Sequence, residues 1–488
     1  MEIPIGSFYK MDSLPISASE CVNLYVNIPE ATTVSKKQLL IPAGIRQATT
    51  AGADTFNRGG HDFLGKPYFV QGGGLYRVDE AIDGFGIKTY SSTLVSGATV
   101  LPGTEQVIMA DNGAEGGQMM IVCPAMTTQF NAFIYTVSGG LVAVADSDFD
   151  GPVSDVNYVD GYFWLTKADG QKVFISDLRD GASYIATDFT SAEADPDYNV
   201  RSFILRNQPY VFGQQTVQAY QNVGGAGFPF QYIQGSVQAK GLASIYAVAE
   251  TNDLMVFLGG AVNETPAVWI TNGGSIEMLS TTPINQEIST YDAETIAACF
   301  TWNYSQAGAQ FMAFSFPGES CFVYDFKAQE WHTRESVDAD QNIIPCRISC
   351  VVAAYGLLFV GDSITTKIGI LDRSVYTEYG EYVRRRFVTP QIDNEGQPFF
   401  MDSVEVVSNT GIGLTTGQGE NPLISLSISR DGGRTYSGAL SRSVGRMGQY
   451  AYRTIWNQLG RAFREVCFKF EMSDPVKWAI TKVEVNFE

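Results

Sequence analysis

The sequence predicts an all-β protein: a β-propeller of about six to eight blades with a C-terminal β-sandwich. The first observation behind this is a repeat. Between about Gly65 and Asp372 one pattern recurs about seven times: a turn-forming Gly, Asn or Asp, a short aromatic and β-branched run, a second turn, and another run. The first runs begin near Tyr68, Val107, Tyr162, Tyr210, Leu254, Phe311 and Leu357, a spacing of about 40 to 56 residues, the range of one four-stranded blade. The second observation is a change of texture from about Arg384 onward, where strands show clearer alternation and polar faces. The third is length: 488 residues exceed the roughly 250 to 300 that one core supports, so two or more domains are expected.

Taken in order, residues 1–50 read as an arm or closing segment, because Pro4, Pro15, Pro29 and Pro42 interrupt them before a long periodic element can form. Residues 51–380 read as the propeller. Lys66 to Val70, the turn Gly72-Gly73-Gly74 and Leu75 to Val78 make one hairpin. Tyr162 to Thr166, Ala168-Asp169-Gly170 and Lys172 to Ser176 make another. Leu254 to Leu258 and Ala267 to Thr271 flank a longer loop. These runs are apolar nearly throughout, as blades packed on both faces require. Val237 to Glu250 fits a short helix or a strand equally well. Residues 381–488 read as the sandwich, with strands at Met401 to Val407, Leu423 to Ser429, Tyr450 to Trp456, Arg464 to Glu471 and Ala479 to Val485.

Composition sets limits on function. Apolar residues at 45% and charged residues at 17% suit a folded chain, and 49 Gly with 24 Tyr suit many tight turns between half-buried strands. No apolar run reaches the roughly 20 residues of a membrane helix, and Met1 to Lys10 lacks the features of a signal peptide, so the chain is expected to be made and kept in a cytoplasm. The seven cysteines, scattered through apolar runs, read as reduced core residues; Cys346 and Cys350 are close in sequence, but two histidines and no second Cys pair argue against zinc. The net charge is −20, and it is unevenly placed: 13 Lys and Arg stand against 11 Asp and Glu from Arg384 onward, but 19 against 41 before it. An acidic propeller excludes tight DNA binding, which needs clustered cations to displace counterions from phosphates. It suits a wall past which a polyanion slides, or simply solubility.

Several motifs invite chemistry. Asp146-Ser147-Asp148-Phe149-Asp150-Gly151 matches the first half of a calcium loop, making Asp146, Asp148 and Asp150 a weak candidate cation site, but Asn157 stands where the bidentate carboxylate belongs and a solvated acidic turn explains the run as well. Ser429-Arg430-Asp431-Gly432-Gly433-Arg434-Thr435-Tyr436 has the form of an Asp-box, a structural hairpin turn. Sugar cleavage would need a pair of carboxylates, and Asp62, Asp111 and Glu193 to Asp197 are candidates no better than other loop acids. No nucleophile elbow, phosphate loop or metalloprotease helix is present, and His61 and His332 fall in different blades. Arg384-Arg385-Arg386 reads as a charged domain junction in preference to an anion site. No catalytic or cofactor-binding residue, and no cofactor, is expected.

Read as an ordered set, further stretches carry a resemblance. Glu20-Cys21-Val22-Asn23-Leu24-Tyr25 is followed by Lys37 to Gly44. Phe174 to Leu178, Gly181, Ala192-Glu193 and Pro196-Asp197 come next, then Gly227-Phe228-Pro229-Phe230 with Gly235 and Gly241. Phe322 to Asp325 with Glu330 to Arg334 follows, and then Ser429 to Tyr436, Gly445 to Tyr450, Trp456 to Gly460 and Ser473-Asp474-Pro475. Together they resemble the packaged-DNA stabilisation, or tail hub and nozzle, proteins of short-tailed bacteriophages. Two departures stand out: Ala43 occupies a usual Pro-Gly turn, and Gln214, Gln218 and Tyr220 replace an acidic and aromatic pattern.

The resemblance implies a structural virion protein, not an enzyme, in the tail of a particle assembled in the host cytoplasm. It implies a homo-oligomeric ring of six copies below the portal and head–tail adaptor ring. That ring would extend the DNA ejection channel, retain packaged DNA while double-stranded DNA passes transiently, and anchor tail fibre or spike and plug or needle proteins, with no membrane span. The competing expectation is a carbohydrate-binding or carbohydrate-cleaving virion propeller, a lectin or depolymerase, suggested by the fold and the Asp-box.

Overall fold

Short, nearly all-apolar runs separated by two-residue turns can satisfy their backbone only by pairing with the next run, and the chain does this seven times in succession. The computed structural model describes residues 1–14, 16–31, 35–53, 56–192, 197–225 and 227–487. Among these, seven antiparallel blades follow one another. Their first strands are Asn57–Phe63, Ile108–Asp111, Val153–Val159, Asn199–Leu205, Val248–Thr251, Phe300–Gln306 and Ile348–Ala354. These first strands pack side by side and surround a common axis. The repeat read from the sequence is therefore the blade repeat. Six of the seven markers fall in second strands such as Lys66–Gln71 and Tyr162–Lys167, whereas Val107 introduces a first strand.

Aromatic contacts fill the wedges between blades, for example Phe212 on Phe257 at 5.0 Å and Trp164 on Phe230 at 5.0 Å between ring centres. The 237–250 segment resolves in favour of strand, with Gly241–Leu242 and Val248–Thr251 both paired to Leu254–Gly260. Two short helices, Thr282–Ile288 and Ala293–Ala297, lie between blades five and six. No helix among the described residues is long and apolar enough to cross a membrane.

The first fifty residues are the least regular in sequence and the most connected in space. The prolines fall between strands, not within them: Pro4 after Glu2–Ile3, Pro29 after Tyr25–Asn27, Pro42 between Gln38–Leu40 and Gly44–Thr50. Pro15 lies outside the described residues. Gly44–Thr50 pairs antiparallel with Lys367–Asp372 and supplies the outer strand of blade seven, so the two ends of the propeller are hydrogen-bonded into one sheet. Glu2–Ile3, Tyr25–Asn27 and Gln38–Leu40 join one sheet of the sandwich alongside Ala479–Phe487 and Phe399–Ser408.

Ala18–Val22 takes the remaining place. It runs antiparallel to Arg385–Val388 of the second sandwich sheet, and its last residue bridges to Thr333 in the outer strand of blade six, Glu330–Val337. Blade six and one sandwich sheet are thus continuous. Accordingly the sandwich core holds Ile3, Ile5, Cys21, Leu24, Val26 and Leu39 beside Trp456, Phe470 and Trp478. The sandwich strands appear close to expectation, Leu423–Ser429 among them; the strand expected from Tyr450 begins at Thr454, because Gly445 and Gly448, at φ of 92° and 83°, hold the preceding residues in a loop.

Asn23 secures this junction. Fully buried at φ 52°, a conformation that Asn tolerates better than most residues, it gives hydrogen bonds to both domains and accepts one from blade six. Its Nδ2 donates to the carbonyls of Glu335 at 2.9 Å and Arg384 at 2.7 Å, its own N–H reaches the Thr333 carbonyl at 2.9 Å, and its Oδ1 accepts from the Glu335 N–H at 3.2 Å. Replacing Asn23 by Ala leaves buried carbonyls unpartnered and is expected to lower the unfolding free energy by about 2 to 4 kcal/mol in chemical denaturation. Gly44→Ala is expected to weaken blade closure, since a Cβ there would lie 2.4 Å from the Val375 carbonyl oxygen; overpacking of this kind costs about 1 to 3 kcal/mol and should appear as a lower thermal midpoint.

Candidate functional site

The axis of the propeller is where the blades converge, and its lining is set by a feature that recurs in the first strands. In blades one, three, four and seven the pairing of first and second strands slips by one residue, between Asn57 and Gly59, Val153 and Asp155, Asn199 and Arg201, and Ile348 and Cys350. Each slip is a β-bulge, which kinks the strand and re-aims the side chains beyond it. Gly59, Asp155, Arg201 and Cys350 therefore occupy equivalent positions in their blades.

Asp155 and Arg201, on neighbouring blades, meet with 4.0 Å between the Arg Nε and a carboxylate oxygen. Asp155 is fully buried; one oxygen accepts from the Ser202 N–H at 3.0 Å and from Asn157 at 2.8 Å. Burial pushes its carboxyl up to about 6, outweighing the opposing charge of Arg201. Arg201 donates to the Ile245 carbonyl at 2.7 Å and lines an axial cavity of about 300 Å³ with Gly59, Glu250 and Asn303.

A larger cavity of about 770 Å³ opens at the end of the axis where the first strands begin. Gln106, Tyr246 and Phe300 border both spaces and so form the partition between them. The larger cavity is mostly apolar, with Phe56, Phe316, Pro345 and Ile364 around it, and carries Glu105, Glu294 and Asp338. Its one lining arginine, Arg58, is 2% exposed and spent on backbone: it donates to the carbonyls of Glu105, Gly72, Leu101 and Pro102 at 2.7 to 3.3 Å.

At the far end of blade one, His61 Nε2 and Asp111 Oδ2 are 2.6 Å apart. Burial raises Asp111, but the His61 hydrogen bond and charge and the Gly113 N–H hold it below the usual carboxylate range. Burial raises neighbouring Asp62; His61 opposes the rise and Asp111 adds to it. These residues, separate in the sequence reading, come together, but Asp111 is committed to its partners. His332 is far from them in blade six, buried between Tyr25 and Phe311, and burial together with nearby Arg334 pushes it down to about 3.

The other motifs resolve locally. Asp146 caps its own turn, accepting from the Asp148 N–H at 2.8 Å; Asp148 is exposed; Asp150 forms ion pairs with Lys167 and Lys172. The three carboxylates are thus divided between a turn, solvent and two ammonium groups. Glu193 to Pro196 lie outside the described residues, while Asp197 accepts from the backbone of Gln215 and Thr216. Gln218 donates to the Tyr220 hydroxyl at 2.9 Å, so this departure from the phage pattern is satisfied within its blade.

In the Asp-box, Ser429 Oγ accepts from the Gly433 N–H, and the Asp431 carboxylate takes the Arg434 and Thr435 N–H groups and the Thr435 hydroxyl, with Gly432 and Gly433 at φ of 75° and 94°. The Ser429, Asp431 and Thr435 side chains hold the turn, while Arg430 donates to the Leu459 and Arg461 carbonyls of the neighbouring strand. Cys346 lies against Cys321, not Cys350, whose sulfur faces Asn57.

The arginine triplet ties the junction. Arg384 binds Glu335 of blade six through two hydrogen bonds at 2.8 and 3.2 Å, and Arg386 is paired with Glu20 at 2.7 Å, though its Nε–H does not point along the contact. Buried Arg385 donates to the carbonyls of Asp474 and Tyr376.

Comparison with known proteins joins these observations. The bacteriophage P22 Gp10 β-propeller family matches residues 1–376 and the bacteriophage P22 Gp10 β-sandwich family matches residues 384–488. The chain belongs to the bacteriophage P22 Gp10 family. A curated relative, the tail hub protein gp10 of Salmonella phage P22, is 23% identical over 364 residues, covering 70% of this chain and 73% of that one. A structural role in a phage tail hub follows, and the protein is not an enzyme. Among solved structures, the extracellular domain of BT4673 from B. thetaiotaomicron is 11% identical with a TM-score of 0.41, over 78% of this chain and 45% of that one. PorZ from Porphyromonas gingivalis is 11% identical with a TM-score of 0.38, over 73% and 44%. The chain spans less than half the length of either.

The buried ionisable groups of this Gp10-family protein predict its pH response. His332 is neutral in the fold and titrates near 6.5 when unfolded, so its contribution is present above pH 6.5 and is lost as pH falls toward about 3. Asp155 acts oppositely: it binds its proton more tightly in the fold, so it favours the fold below about pH 4 and that contribution is lost as pH rises to about 6. In denaturant titrations, His332→Phe is expected to reduce the acid-induced loss between pH 6.5 and 4.5 by up to about 1.4 kcal/mol per pH unit relative to the unsubstituted chain. Asp155→Asn is expected to steepen that loss between pH 6 and 4.

Proposed function

We propose that the protein assembles as a ring of six copies below the portal and adaptor ring, extends the DNA channel, retains the packaged genome and anchors fibre or spike and plug proteins. Membership of the P22 Gp10 family carries this reading. The three parts would divide the work: residues 1–50 as the tie, 51–380 as the propeller, 381–488 as the sandwich. A closed head-to-tail ring needs two different complementary faces on each copy, and a chain of two unlike units locked in one orientation offers them.

The conduit for DNA would lie between copies and not along the propeller axis. An axial space of about 300 Å³ is the size of a small-ligand site, whereas one major groove of a duplex is about 12 Å wide. The charge balance supports a sliding surface: 41 acidic against 19 basic residues before Arg384 would repel phosphate and discourage the DNA from sticking. Electron microscopy of the purified protein mixed with portal–adaptor complexes is expected to reveal a six-fold ring with a central opening; monomers that never join those complexes would overturn the proposal.

A further inference from the structure

We propose that the mouth of the propeller, the cavity of about 770 Å³ bordered by Phe300, Phe316 and Ile364, is a docking site for an extended, basic segment of a partner protein bearing an aromatic or aliphatic anchor. The inference goes beyond ring formation and does not depend on how many copies the ring contains. Cavities of about 300 to 1,000 Å³ with apolar walls and a few convergent polar groups are the usual form of binding sites. This one has a floor: Tyr246 and Phe300 separate it from the smaller axial space, so an inserted side chain meets aromatic surface instead of a through-channel.

Charge selects the occupant. Three carboxylates border the cavity from three different elements: Glu105 precedes blade two, Glu294 lies in the helix before blade six, and Asp338 follows the last strand of blade six. The only cation in the described lining, Arg58, directs its nitrogens at backbone carbonyls and forms no ion pair with the three acids; its charge acts on Glu105 but leaves the carboxylates in excess. Glu105 is held below the usual carboxylate range, first by backbone N–H groups, and so stays ionised. An anionic ligand is excluded by this field, and a single small cation cannot serve acids spread over separate elements. An extended peptide can, because its alternate side chains point to opposite faces, one set toward the apolar floor and the other toward the rim. Ile364, 47% exposed at the rim, is apolar surface that such a segment would cover.

The test uses the full chain and fluorescence anisotropy with three labelled eight-residue peptides: alternating Lys and Phe, alternating Lys and Ser, and alternating Glu and Phe. The Lys/Phe peptide is expected to bind about tenfold or more tighter than the equally charged Lys/Ser peptide, and the Glu/Phe peptide not to bind. Glu294→Lys and, separately, Ile364→Ser are expected to weaken Lys/Phe binding about tenfold. The same charge change at Glu277→Lys, exposed on the outer strand of blade five, should leave it within about twofold. Hydrogen exchange should slow on binding at Phe316 to Gly318 and Ile344 to Cys346. Equal affinity for the Lys/Phe and Lys/Ser peptides would overturn the proposal, as would equal losses in Glu277→Lys and Glu294→Lys or protection confined to other blades. Any of these would reduce the effect to general attraction by an acidic protein and leave the ring untouched.

Discussion

The structure depends on one constraint: the chain must return to its own beginning twice, once to close the propeller and once to join it to the sandwich. Gly44–Thr50 completes blade seven, and Ala18–Val22 runs between blade six and the sandwich strand Arg385–Val388. A propeller without closure exposes the edges of its terminal blades, and unpaired strand edges are both unstable and sticky. Here closure and attachment are both made within the first fifty residues, so one short segment ties the two domains. Asn23 lies at the centre, its amide shared between the Glu335 and Arg384 backbones.

Electrostatics reinforces hydrogen bonding at the same place. Glu20, Glu335, Arg384 and Arg386 alternate in sign across three chain segments at side-chain exposures of about 15 to 25%. Partly buried networks of this kind hold orientation better than isolated surface pairs, which contribute little. Orientation is what a building block of an assembly requires, because a small error in the angle between its faces accumulates around a ring. The buried pair Arg347 and Asp362 in blade seven, at 2.5 Å and 3.1 Å, serves the closing blade in the same way.

The acidic character of the chain acts at two scales. Summed over the propeller it disfavours lasting contact with a polyanion, and gathered at the cavity mouth it favours a basic segment. The groups most suggestive of chemistry are instead used for structure. The Asp431 carboxylate holds a turn, Asp150 lies between two lysines, and His332 is neutral among aromatic rings.

By itself the sequence determined what depends on local periodicity. Seven turn–strand–turn units at Tyr68 through Leu357, the sandwich strands such as Leu423–Ser429, and the structural turn at Ser429 to Tyr436 were all legible, because strand propensity and turn chemistry act over a few neighbours. Family membership was legible too, in the order of many weak motifs. What only the tertiary structure decided lies in contacts without a sequence period. The proline-broken first fifty residues read as an arm or closing segment; which places they fill, in three sheets, was set by partners some 310 to 480 residues away. The β-bulges that set Asp155 opposite Arg201, and the convergence of Glu105, Glu294 and Asp338 on one cavity, left no local trace, since both come from the closing of blades around an axis and not from any run of neighbouring residues.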